Sequence, residues 1–248
     1  MKHKFILGLF FLSILLASCR SISRGGAGPE MPPRQIILSF DDGPNGDTTA
    51  QLLDVLQKHG VHAVFSLLGE NAEYFPELVR RMYDEGHCIV NHGYADKWAR
   101  RMGADEFREN LLKGDAAISA ALGHDFFPRL YRPHGGFYSS AQEQICREEG
   151  YTIVPGNIRI YDAVKNKSKH DKAVRKLIKK IENQNGGIVL LHDGRGSHTS
   201  MEAELVKNPD GAFNRSWIPA VVEEIIPVLP KKGFTYGDPG IIFSAPKR

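Results

Sequence analysis

The strongest constraint on the fold is an alternation that runs through most of the chain. Short apolar runs at residues 36–40, 61–67, 87–91, 129–132, 151–155 and 187–192, with a last one at 240–243, have the length and β-branched content of buried strands. Amphipathic stretches separate most of them: 49–59, 74–85, 105–122, 140–149, 172–183 and 217–229, the last bent or broken at Pro227. Gly60, Gly86, Gly123 and Gly150 each follow such a stretch, where a left-handed C-cap favours glycine. Repeated strand–helix units imply parallel strands covered by helices. Seven such strands suit a distorted (β/α) barrel better than an open sheet. No internal repeat or second domain is apparent, and residues 194–215 read as a long loop of the kind that is functional or disordered.

The amino terminus is not part of this pattern. Met1-Lys2-His3-Lys4 precedes an apolar run from Phe5 to Ala17, a charged start and short core typical of an export signal. It ends in Leu16-Ala17-Ser18-Cys19, which resembles the lipobox of bacterial lipoproteins, in which the cysteine becomes the lipid-modified first residue. The expected organisation is a signal peptide over 1–18, a Ser/Gly/Pro-rich tether over 19–33 and one domain over 34–248, exported and lipid-anchored to a bacterial cell envelope. Loss of Lys2 and Lys4 brings the formal charge of +3 close to neutral, and the basic run 172–180 reads as a solvated helix face, so nothing points to nucleic acid. Cys88 and Cys146 then remain, as a disulfide pair or as two buried thiols. The oligomeric state is not legible.

Candidate reactive residues gather at strand ends. Ser39-Phe40-Asp41-Asp42-Gly43-Pro44 closes the first strand with two carboxylates before a turn signal. Asp-Asp-Gly-Pro alone is also ordinary turn chemistry. Neighbours on an extended segment point in opposite directions, so Asp41 and Asp42 are expected to do different jobs, one holding a cation and the other accepting a proton. His92 closes the third strand, Arg132 the fourth and His192 the sixth, while Asp162 follows the fifth. In a parallel barrel those ends share one rim, where catalytic groups collect. His62, His87, His124 and His170 read as structural or solvated, and His198 as a residue of the long loop that could reach over the site.

The same residues carry a resemblance to the polysaccharide deacetylases, the NodB homology domain or family 4 carbohydrate esterases. Ser39–Pro44 resembles their first motif and Gly86–His92 the approach to their metal-binding second. Tyr131-Arg132-Pro133-His134-Gly135-Gly136 resembles the third and Ile188–Asp193 the fifth. The resemblance spans about residues 35–243. It implies a metal-dependent hydrolase that removes N-acetyl groups from an amino-sugar polymer or oligosaccharide, peptidoglycan or chitin-like. In that reading Asp41 is the general base, paired with Arg132, and His192 is the acid, oriented by Asp162. Asp42 and His92 bind the metal, the Gly135 backbone N–H faces the oxyanion, Leu190 lines the acetyl-methyl pocket, and His134 lies at the edge of the substrate site.

The departures matter. The family's second motif has a second histidine four residues after the first; here that position is Asp96, in His92-Gly93-Tyr94-Ala95-Asp96. A carboxylate also binds zinc, so Asp96 is expected to complete the set. One His and two Asp are harder donors than usual, which admits Co2+, Ni2+ or Mn2+ beside Zn2+. Ala163 stands where a pocket Trp is common, and His134-Gly135 where Pro-Tyr is frequent. Alternative readings are an O-acetyl esterase, a hydrolase of a small amide, and a non-catalytic carbohydrate-binding lipoprotein with a degenerate metal site. The retained Asp41, Arg132 and His192 argue against the last.

Overall fold

The computed structural model describes residues 22–24 and 31–244. In chain order its strands are β1 (Ile22–Arg24), β2 (Gln35–Gly43), β3 (Ala63–Leu67), β4 (Cys88–Asn91), β5 (Leu130–Tyr131), β6 (Phe137–Ser139), β7 (Thr152–Ile153), β8 (Ile158–Arg159), β9 (Gly187–His192) and β10 (Thr235–Tyr236). Seven of them form a curled parallel path in the order β7-β5-β4-β3-β2-β9-β8, with β10 beside the start of β2. The two ends of the path, β7 and β8, are joined by residues 154–157 rather than by a ladder, so the barrel is unclosed on that side. Strands β1 and β6 make a separate antiparallel pair. The signal peptide, Cys19 and most of the tether expected from the sequence lie outside the described residues.

Alternation along each strand divides the core in two. Ile36, Leu38 and Phe40 of β2 pack with Ala63, Phe65, Val189 and Leu191 against the surrounding helices. Ile37, Val64, Val90, Leu130 and Ile188 form a small apolar plug inside the curl. Two residues further along, the inward series turns polar: Ile37 leads to Ser39 and Asp41, Val64 to Ser66, Val90 to His92, Leu130 to Arg132, and Ile188 through Leu190 to His192. A period of two therefore seats the polar layer on an apolar floor, at the carboxyl ends of the strands.

The helices wrap the outside. Gly60 and Gly123 end α1 (Gly46–His59) and, after α2 (Gly69–Tyr74) and α3 (Pro76–Asp84), α4 (Ala104–Leu122), both glycines in the left-handed conformation expected of them. Ser139 caps α5 (Ser140–Glu148) with a reciprocal Ser–Gln142 box. The helix expected over 172–183 is α6 (His170–Gln184). Residues 194–215 are not a continuous loop: Ser197 caps α7 (His198–Lys207). Pro227 does break the last long helix, after α8 (Ile218–Ile225).

Residues 240–243 are not a strand. Pro239 opens a short helix (Pro239–Ser244), with the Gly240 N–H on Asp238 Oδ1 at 2.8 Å. The seventh place on the path is taken by β8 instead. Cys88 and Cys146 are free thiols, and burial pushes both up to about 12, which leaves them unreactive.

Helix α4 crosses the end of β4 at close range through Gly114. A Cβ there would lie 2.6 Å from Asn91 Oδ1 and 2.8 Å from the Gly93 carbonyl carbon. Gly114→Ala is expected to destabilise the domain by about 1–3 kcal/mol through overpacking, seen as a lower urea midpoint. Gly103→Ala, with nothing within 4 Å of its Cβ, should leave the midpoint in place.

Candidate active site

The first strand does more than alternate. The β2–β3 register shifts between Asp41 and Gly43, and Asp42 adopts a left-handed φ of 69°. This bulge turns Asp42 back toward the side that Asp41 already faces. Both carboxylates thus converge on His92, against the opposite orientation expected of neighbours on a regular strand. Asp42 Oδ1 is 3.3 Å from His92 Nε2, and Asp41 Oδ2 is 3.9 Å from the same nitrogen. Their partners still differ. Asp41 Oδ1 is ion-paired with Arg132 Nη1, which also donates to Ser39 Oγ. The remaining Arg132 donors reach the carbonyls of Val154 and Pro155.

Asp42, His92 and His134 form the one cluster among the described residues with the spacing of a metal site. All three are buried. His92 Nδ1 donates to the Arg132 carbonyl at 2.7 Å, which leaves Nε2 as the atom facing inward. His134 Nδ1 is 3.5 Å from Asp42 Oδ1. Those last two atoms, Asp42 Oδ1 and His134 Nδ1, are buried without a hydrogen-bond partner, a costly state that a shared cation relieves. One carboxylate oxygen and two imidazole nitrogens are a donor set suited to Zn2+ and its neighbours. The sequence expectation had Asp96 in this trio and His134 at the substrate edge. The structure puts His134 in the trio and Asp96 one step outward, with Oδ1 2.8 Å from His134 Nε2.

His192 lies across from this cluster. Its Nδ1 is 3.1 Å from Asp162 Oδ1, and its backbone N–H donates to Asp162 Oδ2 at 2.9 Å. Burial by itself lowers the His192 pKa, but the Asp162 charge and hydrogen bond, with Asp42 and Asp41 behind them, raise it to about 9. Asp162 is in turn held by Arg215, whose Nη2 meets Oδ2 at 2.6 Å. Arg215 is 1% exposed and also donates to the carbonyls of Asp162 and His192. Nothing local in the sequence marks Arg215: it follows a polar segment far from Asp162, and only the tertiary fold brings them together.

Two glycines let the ends of β2 and β9 meet. A Cβ on Gly43 would overlap the Asp193 carboxylate, and one on Gly194 would overlap the Asp42 carbonyl oxygen. Asp193 sits beneath, accepting from Thr49 Oγ1 at 2.5 Å; burial, with the Asp42 and Asp41 charges, raises its pKa to about 7.

Asp41, Asp42, His92, Arg132, Asp162 and His192 open into one groove of about 970 Å³. Leu190, Gly135 and His134 line it, together with Trp98, Tyr161 and Phe213, which the sequence did not single out. Trp98 is 40% exposed and Tyr161 66%. His198 does not reach over the site; its ring packs on Tyr74 and Phe75 outside the groove.

Residues 28–154 match the sequence profile of the family described as polysaccharide deacetylase. The chain belongs to that family. A peptidoglycan-N-acetylglucosamine deacetylase of Bacillus cereus is 36% identical over 128 residues, 52% of this chain and 46% of that protein. One from Listeria monocytogenes is 30% identical over 184 residues, 72% of this chain and 38% of that protein. The chain therefore spans less than half the length of these two relatives. A chitooligosaccharide deacetylase of Sinorhizobium fredii, 28% identical, is matched over 87% of this chain and 93% of its own. Among solved structures, a peptidoglycan N-acetylglucosamine deacetylase in complex with a naphthyl N-hydroxybenzamide superposes with a TM-score of 0.69 at 27% identity, covering 89% of this chain and 92% of that one.

The His192–Asp162 pair has a measurable signature. In metal-stripped protein the His192 ring is expected to titrate near 9 by NMR. Because this value is raised above the ordinary 6.5, the pairing contributes stability fully below about 6.5 and loses it as pH climbs through about 9. Asp162→Asn removes the opposing charge, so burial prevails and the midpoint should fall by about 1–3 pH units. An unchanged midpoint would refute the pairing.

Proposed function

We propose that this chain is a metal-dependent hydrolase that removes N-acetyl groups from an amino-sugar polymer of the peptidoglycan or chitin type. The observation that carries this reading is the placement of the Asp42–His92–His134 trio between a buried carboxylate, Asp41, and a histidine held protonated, His192, at the base of one groove. The names of the relatives agree with it. So does the groove, whose volume and exposed Trp98 and Tyr161 suit a sugar chain better than a small amide.

A divalent cation on the trio supplies Lewis acidity, which makes a water a nucleophile at neutral pH and polarises the acetyl carbonyl. The chain's own groups do the rest. Asp41 accepts the proton of the attacking water, and the ion pair with Arg132 fixes the direction of that carboxylate. Asp42 is itself held well below the usual carboxylate range: burial acts upward, but the adjacent His92, 3.3 Å away, and the fields of His134 and His192 outweigh it. The Gly135 backbone, on the groove wall, is the candidate donor to the oxyanion. His192 delivers its proton to the departing amine nitrogen, while Asp162 and Arg215 hold the ring in place. Leu190 receives the acetyl methyl group.

The proposal extends to the cell. Cys19 is the acylated anchor of an exported protein, and the Ser/Gly/Pro-rich segment that follows links that anchor to the domain, with residues 22–24 paired to β6. The metal in this reading is Zn2+, with Co2+, Ni2+ and Mn2+ as substitutes.

The test is acetate release from N-acetylated chitooligosaccharide and from peptidoglycan by the soluble chain starting after Cys19. Release should vanish on chelation and return with a divalent metal. Asp41→Asn and His192→Gln should each lower kcat by about 10²–10⁴, the range for a lost general base or acid. Bound metal with no acetate from either polymer would reject the substrate class.

A further inference from the structure

The trio differs from what its second motif leads one to expect, and the difference is specific enough to assign a role to a residue outside it. The position four residues after His92 carries Asp96, while a histidine appears in the third motif at 134. We propose that these two side chains have exchanged functions in this chain: His134 supplies the third metal-binding atom through Nδ1, and Asp96 is its positioning residue through Nε2–H. The inference rests on the reading of the trio as a cation site.

Four observations lead there. Asp96 Oδ1 lies 2.8 Å from His134 Nε2, so the ring donates outward and its Nδ1 lone pair points inward. That Nδ1 is buried, lacks a hydrogen-bond partner, and lies 3.5 Å from the equally unpartnered Asp42 Oδ1. The His134 ring leans on that of His92, with centroids 4.9 Å apart and planes at 40°, which restricts rotation away from this aim. The other Asp96 oxygen lies beside Gly196, where a Cβ would come within 2.9 Å, so the loop after β9 limits how far that carboxylate can swing on that side.

The two histidines are thereby held by opposite nitrogens. His92 is anchored at Nδ1 by a backbone carbonyl and faces the cation site with Nε2. His134 is anchored at Nε2 by a carboxylate and faces it with Nδ1. An anionic partner on the outer nitrogen makes the inner one a stronger donor. The inner donor set stays one carboxylate and two imidazoles, despite the aspartate at position 96. Asp96 as a ligand in place of His134 would instead give two carboxylates and one imidazole, and it would leave His134 Nδ1 buried and unsatisfied.

The wild-type protein decides this without a variant. In zinc-titrated protein with 15N-labelled histidine, imidazole nitrogen shifts should show the His134 proton on Nε2 with Nδ1 metal-bound, and the reverse for His92. Metal-bound Nε2 at His134, or a His134 ring indifferent to zinc, would overturn the exchange. A second measurement titrates metal-stripped protein with Co2+ and reads its visible bands and its affinity against a chelator. Asp96→Asn should weaken Co2+ binding about 10–100-fold, the usual effect of losing such an outer carboxylate, while leaving the bands nearly in place. His134→Gln should weaken binding further and move the bands. The opposite pattern, with His134→Gln harmless and Asp96→Asn shifting the bands, would make Asp96 the ligand and end the proposal. If wild type takes up neither metal, the cation-site reading fails first and the exchange with it.

Discussion

The site depends above all on the parallel register of β2 and β9. It pairs Asp41 with His192, while β2 and β3 pair Asp41 with Ser66 and the ladder runs on from Leu67 to Asn91 and from Asn91 to Tyr131. Neighbouring strands stand about 4.8 Å apart, so this register alone brings the proposed base and acid to adjacent strand ends at one height. A slip of one residue would turn the whole inward series outward. The apolar plug of Ile37, Val64, Val90, Leu130 and Ile188 forbids that slip, because it would send those side chains out and bring Leu38 and Phe40 in. The chemistry is thus registered by the greasy layer beneath it.

Above that layer the fold places charges where water is scarce. Two buried guanidiniums, Arg132 and Arg215, each hold an aspartate and also donate to backbone carbonyls. Burying such pairs adds little net stability, and removing one partner leaves the other charge stranded. Their value lies in direction. Arg132 aims Asp41 from the Ser39 side of the site. Burial acts upward on Asp162, but His192 and then Arg215 hold its pKa down, and the Asp162 charge raises that of His192 against its own burial. The same device, an arginine braced on backbone carbonyls, thus aims a carboxylate on each side of the site.

Much of this was legible in the sequence, for physical reasons that differ by residue. Asp41, His92, Arg132 and His192 fall at the ends of apolar runs, and a parallel fold sends such ends to one rim. The structure gathers them with Asp42 and Asp162. What escaped was non-local or depended on a single dihedral. The bulge at Asp42 has no signature in residues 39–44, since aspartate only tolerates a left-handed φ and does not announce it. Arg215 meets Asp162 across 53 positions. His134 and Asp96 were both near the site on paper, but which of them faces inward is decided by ring orientation, which spacing does not encode. The two-residue β8 is too short for periodicity to reveal, and the apolar run at 240–243 misled because Pro239 starts a helix there.

Gly43 and Gly194 set a rule for any descendant of this fold. Gly194 meets the Asp42 backbone and Gly43 meets the Asp193 carboxylate, so a side chain at either one would drive the cluster-bearing strand away from the acid-bearing strand. The loops beyond them are free to lengthen, shorten or change composition as substrates change. These two glycines are not, and neither can vary without the other strand moving to meet it. Anyone transplanting the site to another scaffold would have to copy that close approach of the two strand ends before copying any of the reactive side chains.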